Sequence, residues 1–224
     1  MNLWAFIWIS LIIIISGKMN KRYYVFALFI FLFFSGCNSK NDKVIVALQP
    51  FGNFDKALSD SLKITIEKYY GFSVHILPKK KLPSHAFVNI KSPRYRADSL
   101  IHFLRHIKAD SVDYIIGLTD NDISIPKLDE DGNIKQPIWK YNDFGIFGLG
   151  FRPGVSCVVS TFRLNSRHQE FLSRLKKVTL HELGHNLGLK HCESKSCFMR
   201  SAAERIQTVD QVKLELCSYC KNKI

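Results

Sequence analysis

The chain has 224 residues, of which 46% are hydrophobic and 23% are charged, and its formal net charge at neutral pH is +13. It contains no internal repeat and no low-complexity tract, which excludes a repeat architecture. The positive charge is compatible with nucleic acid, an anionic membrane surface or an acidic substrate as a partner. The charge is dispersed, however, and its one tight cluster, the three lysines at 79–81, is typical of a solvated loop.

The N-terminus has the pattern of a secretory signal. Residues 19–22 read Met-Asn-Lys-Arg, a positively charged n-region, and residues 23–34 form an apolar run. The sequence Phe-Ser-Gly-Cys then ends at Cys37 and resembles a bacterial lipobox, in which the cysteine becomes the lipidated first residue of the mature protein. We therefore predict a signal peptide over residues 1–36 and lipidation at Cys37.

This pattern predicts a lipoprotein of the bacterial cell envelope that is anchored to a membrane, with residues 37–43 as a tether. Residues 44–224 are then the folded domain, which is long enough for one sizeable core. Two alternatives remain open. The apolar run could be an uncleaved anchor, although a membrane span needs about 20 apolar residues. A second apolar run over residues 3–16 is either an extension upstream of a start at Met19 or half of a hairpin anchor.

Strand and helix patterns alternate in the first part of the domain. Short apolar runs predict strands over residues 44–48, 72–77, 113–119, 145–151 and 155–160. Helical periodicity predicts helices over residues 55–70 and 97–108, and the acidic segment 120–142 is predicted to be a loop. This alternation predicts an α/β domain with a mostly parallel sheet. The segment 145–151 is rich in glycine, which indicates an edge strand or a place where another backbone comes close.

Two capping boxes predict the last two helices. Ser166 stands three residues before Gln169 and predicts a helix that ends near Gly188. Thr208 stands three residues before Gln211 and predicts a final helix that runs to residue 217.

The first of these helices carries a histidine motif. His181 and His185 are four residues apart, so they project from the same face of the helix and can chelate one zinc ion. Glu182 can act as general base towards a water on the metal. Gly188 can adopt the left-handed conformation that ends a helix, after which His191 can turn back to the metal. Three neutral imidazoles leave a fourth position open, as in catalytic zinc sites.

Four cysteines follow with the spacing of a second metal site. They form C-x4-C and C-x2-C pairs at Cys192, Cys197, Cys217 and Cys220. This spacing favours a closed structural zinc site with four thiolate ligands. Two disulfides are an alternative, because an exported protein meets an oxidising compartment. A zinc-ribbon-like module that binds nucleic acid is a third, which the lipoprotein signal and the histidine motif disfavour. Cys157 lies in an apolar strand and is predicted to be a small buried residue.

Residues 181–220 resemble the archaemetzincin (archaelysin) family. The matching positions are the HExxHxxGxxH motif, the four cysteines with their spacing, and Phe198-Met199 after the second cysteine. The resemblance implies a metzincin-like single domain with a mixed, mostly parallel twisted sheet, a long active-site helix and a C-terminal zinc-bound helical subdomain. It also implies a catalytic zinc on the three histidines, Glu182 as general base, a second zinc on the cysteines and Met199 in a Met-turn beneath the metal site.

We therefore expect a zinc-dependent peptidase with two zinc ions per chain that hydrolyses peptide bonds in peptide or protein substrates. The substrate is expected to lie extended along the segment 145–151. A monomer anchored to a membrane is expected, with no nucleic-acid partner. The alternative is a non-catalytic, membrane-anchored zinc-binding scaffold, which the intact Glu182 disfavours. Family members are often soluble intracellular proteins, so the N-terminal signal is a departure from the family pattern.

Overall fold

The computed structural model describes residues 43–164, 168–201 and 205–224. The predicted signal peptide, the lipidation site at Cys37 and most of the tether lie outside these residues, as does Ser166 of the first capping box. Within the described residues, no helix is long and apolar enough to cross a membrane. The predictions for the N-terminus therefore stay predictions.

A five-stranded sheet forms the centre of the domain. Its strands lie in the spatial order β2 (Ser73–Ile76), β1 (Ile45–Pro50), β5 (Tyr114–Thr119), β9 (Ser156–Ser160) and β8 (Gly148–Gly150). The first four strands are parallel, and β8 pairs antiparallel with β9 at the edge. The predicted α/β class, the mostly parallel sheet and the edge position of the glycine-rich segment agree with this arrangement.

Helices cover both faces of this sheet, as is usual for parallel strands. Alternate side chains of a strand face opposite sides, so each strand contributes to two cores. Ile116 packs on the side of α1 (Lys56–Tyr70) and α4 (His168–Asn186). Ile115 packs on the side of α2 (Ala97–Ile107). The bounds of α1 and α2 differ by one residue at most from those that the sequence predicts.

A second sheet was not predicted. Its four strands lie in the order β3 (Phe87–Asn89), β4 (Pro93–Arg96), β6 (Ile123–Ile125) and β7 (Phe144–Ile146). The predicted loop over residues 120–142 is therefore wrong at β6 and at the one-turn helix α3 (Ile138–Tyr141). The predicted strand over residues 145–151 is wrong as a single element, because β7 and β8 belong to different sheets. Strands of three or four residues show too little alternation to be recognised from sequence.

Buried ion pairs hold the second sheet together. The Asp122 carboxylate accepts hydrogen bonds from the guanidinium groups of Arg94 and Arg163, and Asp143 accepts one from Arg94. Only 4% of the Asp122 side chain and 0% of the Asp143 side chain are exposed. The partners are far apart in the chain, so the sequence gives no local signal for them.

The predicted final helix over residues 208–217 is wrong. The chain instead forms α5 (Ile206–Gln211) and the one-turn helix α6 (Ser218–Lys221), with an irregular segment between them. In that segment the Leu216 N–H donates a hydrogen bond of 2.6 Å to the hydroxyl of Tyr69. A backbone group that is bound to a distant side chain is not available to a helix.

Candidate active site

The helix α4 and the turn after it bring three histidines together. His181 and His185 lie on the last two turns of α4, and Gly188 follows with a φ of 93°, a left-handed value that a residue with a side chain rarely adopts. The chain turns there and brings His191 back towards the helix. One ring nitrogen of each histidine lies within 4.8 Å of the others. The residues of the predicted catalytic metal site are thus brought together.

Backbone carbonyl groups orient two of these rings. The Nδ1 atom of His181 lies 2.7 Å from the carbonyl oxygen of Phe198, and that of His185 lies 2.8 Å from the carbonyl oxygen of Leu189. A ring that donates through Nδ1 has its Nε2 lone pair free for a metal ion. Burial lowers the pKa of all three histidines, and that of His181 falls to about 3. Neutral, oriented imidazoles of this kind fit a zinc ion with an open position.

The carboxyl group of Glu182 is buried against the edge strand. Only 8% of Glu182 is exposed, and a Cβ atom added at Gly148 would lie 2.7 Å from its Cγ. A Cβ atom added at Gly150 would lie 2.5 Å from the Glu182 carbonyl oxygen. Burial raises the pKa of Glu182 to about 8, although a hydrogen bond from the Gly150 N–H opposes this. The glycines therefore allow the close backbone approach that the sequence predicts for this segment.

Met199 lies directly beneath the histidine-bearing turns of α4. It is fully buried, and a Cβ atom added at Gly184 would lie 2.5 Å from its Sδ atom. Gly184 stands between the two helical histidines in the sequence, so the thioether packs against the backbone that carries them. This is the place expected for Met199 from the family resemblance.

The four C-terminal cysteines form a second cluster. Their Sγ atoms all lie within 4.8 Å of one another, and those of Cys192 and Cys217 are 3.6 Å apart. Cys197 and Cys220 are buried in the same core as Met199. A hydrogen bond from the Cys220 N–H is the main reason that the pKa of Cys217 falls to about 7. The cluster therefore contains four convergent sulfur donors in the described residues, the donor set of a structural zinc site.

Cys157 belongs to neither cluster. It is fully buried in β9, and burial raises the pKa of its thiol well above the usual value, with a smaller contribution from the charge of Glu182. The prediction that it is a small buried residue is confirmed.

A cavity of about 570 Å³ opens onto the histidines and Glu182. Its walls are β8, the segment 125–128 at the end of β6, and parts of α4 and α5. Four basic side chains also line it, namely Lys127, Arg152, Lys177 and Arg200. Burial is the main cause of the low pKa of His191, and the charges of Arg152 and Lys127 lower it further. Sequence reasoning missed this basic lining, because the four residues come from four separate segments.

Asn186 is a second residue that sequence reasoning missed. Its side chain is buried, and its Nδ2 atom donates hydrogen bonds of 3.0 Å to the carbonyl oxygens of Phe151 and Ser156. The Gly154 N–H donates a hydrogen bond to the Asn186 carbonyl oxygen. These bonds tie the loop that carries Arg152 to the end of α4. The sequence did contain a signal for this residue, because Asn186 places a polar amide side chain directly after the second histidine of the motif.

Comparisons with known proteins identify a family and relatives of this chain. A model of peptidase family M54 matches residues 40–224. The archaemetzincin of Methanopyrus kandleri is 31% identical over 166 residues, which are 73% of this chain and 84% of that protein. The archaemetzincin of Halobacterium salinarum is 26% identical over 189 residues, which are 80% of this chain and 98% of that protein. The crystal structure of the M. kandleri archaemetzincin matches with a TM-score of 0.66 and 28% identity, and the match covers 82% of this chain and 94% of that one.

Proposed function

Because the chain belongs to peptidase family M54, we propose that it is a zinc metallopeptidase that hydrolyses peptide bonds in peptides or proteins. The proposal assigns a catalytic zinc to His181, His185 and His191, and the role of general base to Glu182. One observation carries it. Three convergent imidazole nitrogens lie beside a buried carboxyl group, and all of them face one cavity.

The position of Glu182 supports the proposed role of general base. When bound by the histidines, zinc supplies a Lewis acid that polarises a carbonyl group and acidifies water. Glu182 follows His181 directly and lines the same cavity. It accepts the proton of the attacking water and then donates it to the nitrogen of the leaving amine.

The outer edge of β8 offers a place for the substrate. On its other side β8 pairs with β9, and no strand among the described residues pairs with the outer edge. An extended peptide can add a strand to such an edge through backbone hydrogen bonds. Residues 148–150 line the cavity together with the three histidines, so a peptide bound there would pass the proposed metal site.

The cysteine cluster is the proposed site of a second, structural zinc. Four ligands at about 2.3 Å from a tetrahedral zinc lie about 3.8 Å from one another. The 3.6 Å between the sulfur atoms of Cys192 and Cys217 is close to this value. A disulfide would bring two sulfur atoms to about 2.05 Å, and the five cysteines in the described residues are free thiols. These distances favour zinc over the disulfide alternative.

The N-terminal pattern supports a further part of the proposal, a lipid anchor at Cys37 that holds the protein on the membrane of a bacterial cell envelope. The anchored protein is proposed to be a monomer. Acyl-chain labelling of the full chain, compared with a Cys37→Ser variant, tests the anchor. Labelling that is lost in the variant supports it, and labelling of neither chain contradicts it.

The peptidase proposal is tested with the wild-type chain and a Glu182→Gln variant. Both are expected to contain two zinc ions per chain by elemental analysis, because Glu182 is not a proposed ligand. Cleavage of a peptide library is expected to fall by a factor of about 10² to 10⁴ in the variant, which lacks the general base. Equal cleavage by both chains would contradict the assigned role of Glu182. Two zinc ions without cleavage in either chain would favour the non-catalytic scaffold.

A further inference from the structure

The cavity at the proposed active site is lined by more basic than acidic side chains. Lys127, Arg152, Lys177 and Arg200 line it, and Glu182 is the only carboxylate among its described lining residues. The side chain of Glu182 is buried between α4 and β8. Basic side chains therefore outnumber carboxylates among the described lining residues, and a divalent metal ion would add further positive charge.

The two arginines of the cavity differ from other arginines of the chain in their partners. Arg94, Arg163 and Arg174 each bind a carboxylate at 2.6 or 2.7 Å. No carboxylate of the described residues lies within 4.0 Å of the side chains of Arg152 or Arg200. The side-chain partner found for Arg200 is a neutral amide, the Oε1 atom of Gln211 at 3.5 Å. Both guanidinium groups therefore lack an anionic partner within the described structure.

These arginines flank the three histidines. Arg152 lies two residues after β8 and lines the same cavity as His185 and His191. Arg200 stands two residues after Phe198, whose carbonyl oxygen contacts the His181 ring. A peptide along β8 would lie in the cavity that both arginines and the three histidines line.

We propose that this site selects peptides that carry a carboxylate near the scissile bond and that Arg152 and Arg200 recognise it. The inference rests on the proposed peptidase function and adds a substrate class to it. A guanidinium group can bind a carboxylate with two parallel hydrogen bonds, and such charge-assisted bonds are stronger than neutral ones. The carboxylate is supplied either by an aspartate or glutamate side chain or by the free C-terminus of a short peptide.

The test measures binding rather than turnover. The full chain with Glu182→Gln is loaded with zinc, and fluorescent peptides are titrated in matched pairs by anisotropy. One pair differs by Glu against Gln at an internal position, with both termini blocked. The other pair has only neutral side chains and differs by a free or an amidated C-terminus. In at least one pair, the peptide with the carboxylate is expected to bind at least about tenfold more tightly than its neutral partner. The pair that shows this difference identifies whether a side chain or the C-terminus supplies the carboxylate.

Charge reversal then assigns the preference to particular residues. Arg152→Glu and Arg200→Glu are each added to the Glu182→Gln chain, and at least one is expected to abolish or invert the preference for the carboxylate. Lys81→Glu is the matched control, because it changes the net charge by the same amount at an exposed residue that does not line the cavity. Zinc content and thermal stability are compared to show that all variants are folded.

Three outcomes would overturn the inference. They are equal binding within both peptide pairs, a preference that survives in both arginine variants, and a preference that the Lys81→Glu control removes as well. Failure of the wild-type chain to cleave any peptide contradicts the proposed peptidase function instead. It leaves the binding preference measurable, because the binding assay does not depend on cleavage.

Discussion

Gly148 and Gly150 determine how closely the edge strand approaches the active-site helix. A side chain at either position would meet Glu182, through its Cγ atom at Gly148 and through its backbone carbonyl at Gly150. The two positions differ in what can move. The Glu182 side chain can shift by rotation, whereas its carbonyl oxygen belongs to the helix that carries the histidines. Gly150 is therefore the position at which a side chain would displace the active-site helix itself.

We expect Gly150→Ala to destabilise the protein by about 1–3 kcal/mol, because the added methyl group overpacks the contact between β8 and α4. Peptide cleavage is expected to fall with stability, since Glu182 and the neighbouring histidines move with α4. Urea unfolding and cleavage of one peptide measure the two effects.

Gly71→Ala is the control for this substitution. Gly71 has a φ of 71° and no neighbouring atom within 4 Å of an added Cβ. The change there is expected to lower stability by about 1–2 kcal/mol through its backbone conformation alone, with full peptidase activity. Full activity in Gly150→Ala would show that α4 does not depend on this contact.

Adjacent residues at the end of the motif belong to different clusters. The ring of His191 joins the histidine cluster, and the Sγ atom of Cys192 joins the cysteine cluster. The Cys192 N–H donates a hydrogen bond of 2.9 Å to the Met199 carbonyl oxygen. This short segment is therefore fixed by contacts on both sides, so a change at Cys192 would reach the histidine cluster through the backbone of His191.

At the scale of elements, the second sheet supports one wall of the cavity. The segment 125–128 begins at the last residue of β6, and Ile146 ends β7, and both line the cavity. Asp122 precedes β6 and holds the guanidinium groups of Arg94 and Arg163 with only 4% of its side chain exposed. The position of this wall therefore depends on a buried cluster of charges rather than on apolar packing alone.

We expect Asp122→Ala to lower the free energy of unfolding by about 3–5 kcal/mol, because it removes the buried carboxylate that Arg94 and Arg163 share and leaves Arg94 with Asp143 alone. Asp210→Ala breaks a pair whose carboxylate is 42% exposed, so it is expected to cost about 1 kcal/mol or less. Chemical unfolding of the two variants beside the wild type checks the difference. Equal losses would mean that burial does not govern the strength of these pairs.

The sequence predicts these elements unevenly, for physical reasons. The histidines, Glu182 and Gly188 lie within eleven residues on one helix and its turn, so local spacing determines their geometry. The central strands are predictable because continuous apolar runs indicate buried parallel strands. The strands β3, β4 and β6 are short, and the ion pairs of Arg94 in β4 join residues that are distant in the chain, for which no local pattern exists. Arg152 and Arg200 line the same cavity only through the tertiary fold, so the role that we propose for them was not predictable.

At the scale of the whole molecule, the two clusters differ in how they are built into the domain. The histidine cluster offers three ligands and faces an open cavity. The cysteine cluster offers four, and Cys197 and Cys220 are 0% and 2% exposed within the main core. Residues of this core pack against the central sheet on the side of α1 and α4. A metal ion in the cysteine cluster would therefore stabilise the fold, whereas one in the histidine cluster would mainly serve the reaction.

We expect a chelator to remove the two proposed zinc ions in separate steps. The first ion should leave the three-ligand site with loss of peptide cleavage and little change in the melting temperature. The second should leave the four-thiolate site at higher chelator concentration and lower the melting temperature, because binding to a closed structural site contributes directly to folding. Elemental analysis, peptide cleavage and thermal unfolding are followed across one titration. A melting temperature that falls with the first ion, while cleavage persists, would reverse the assignment of the two sites.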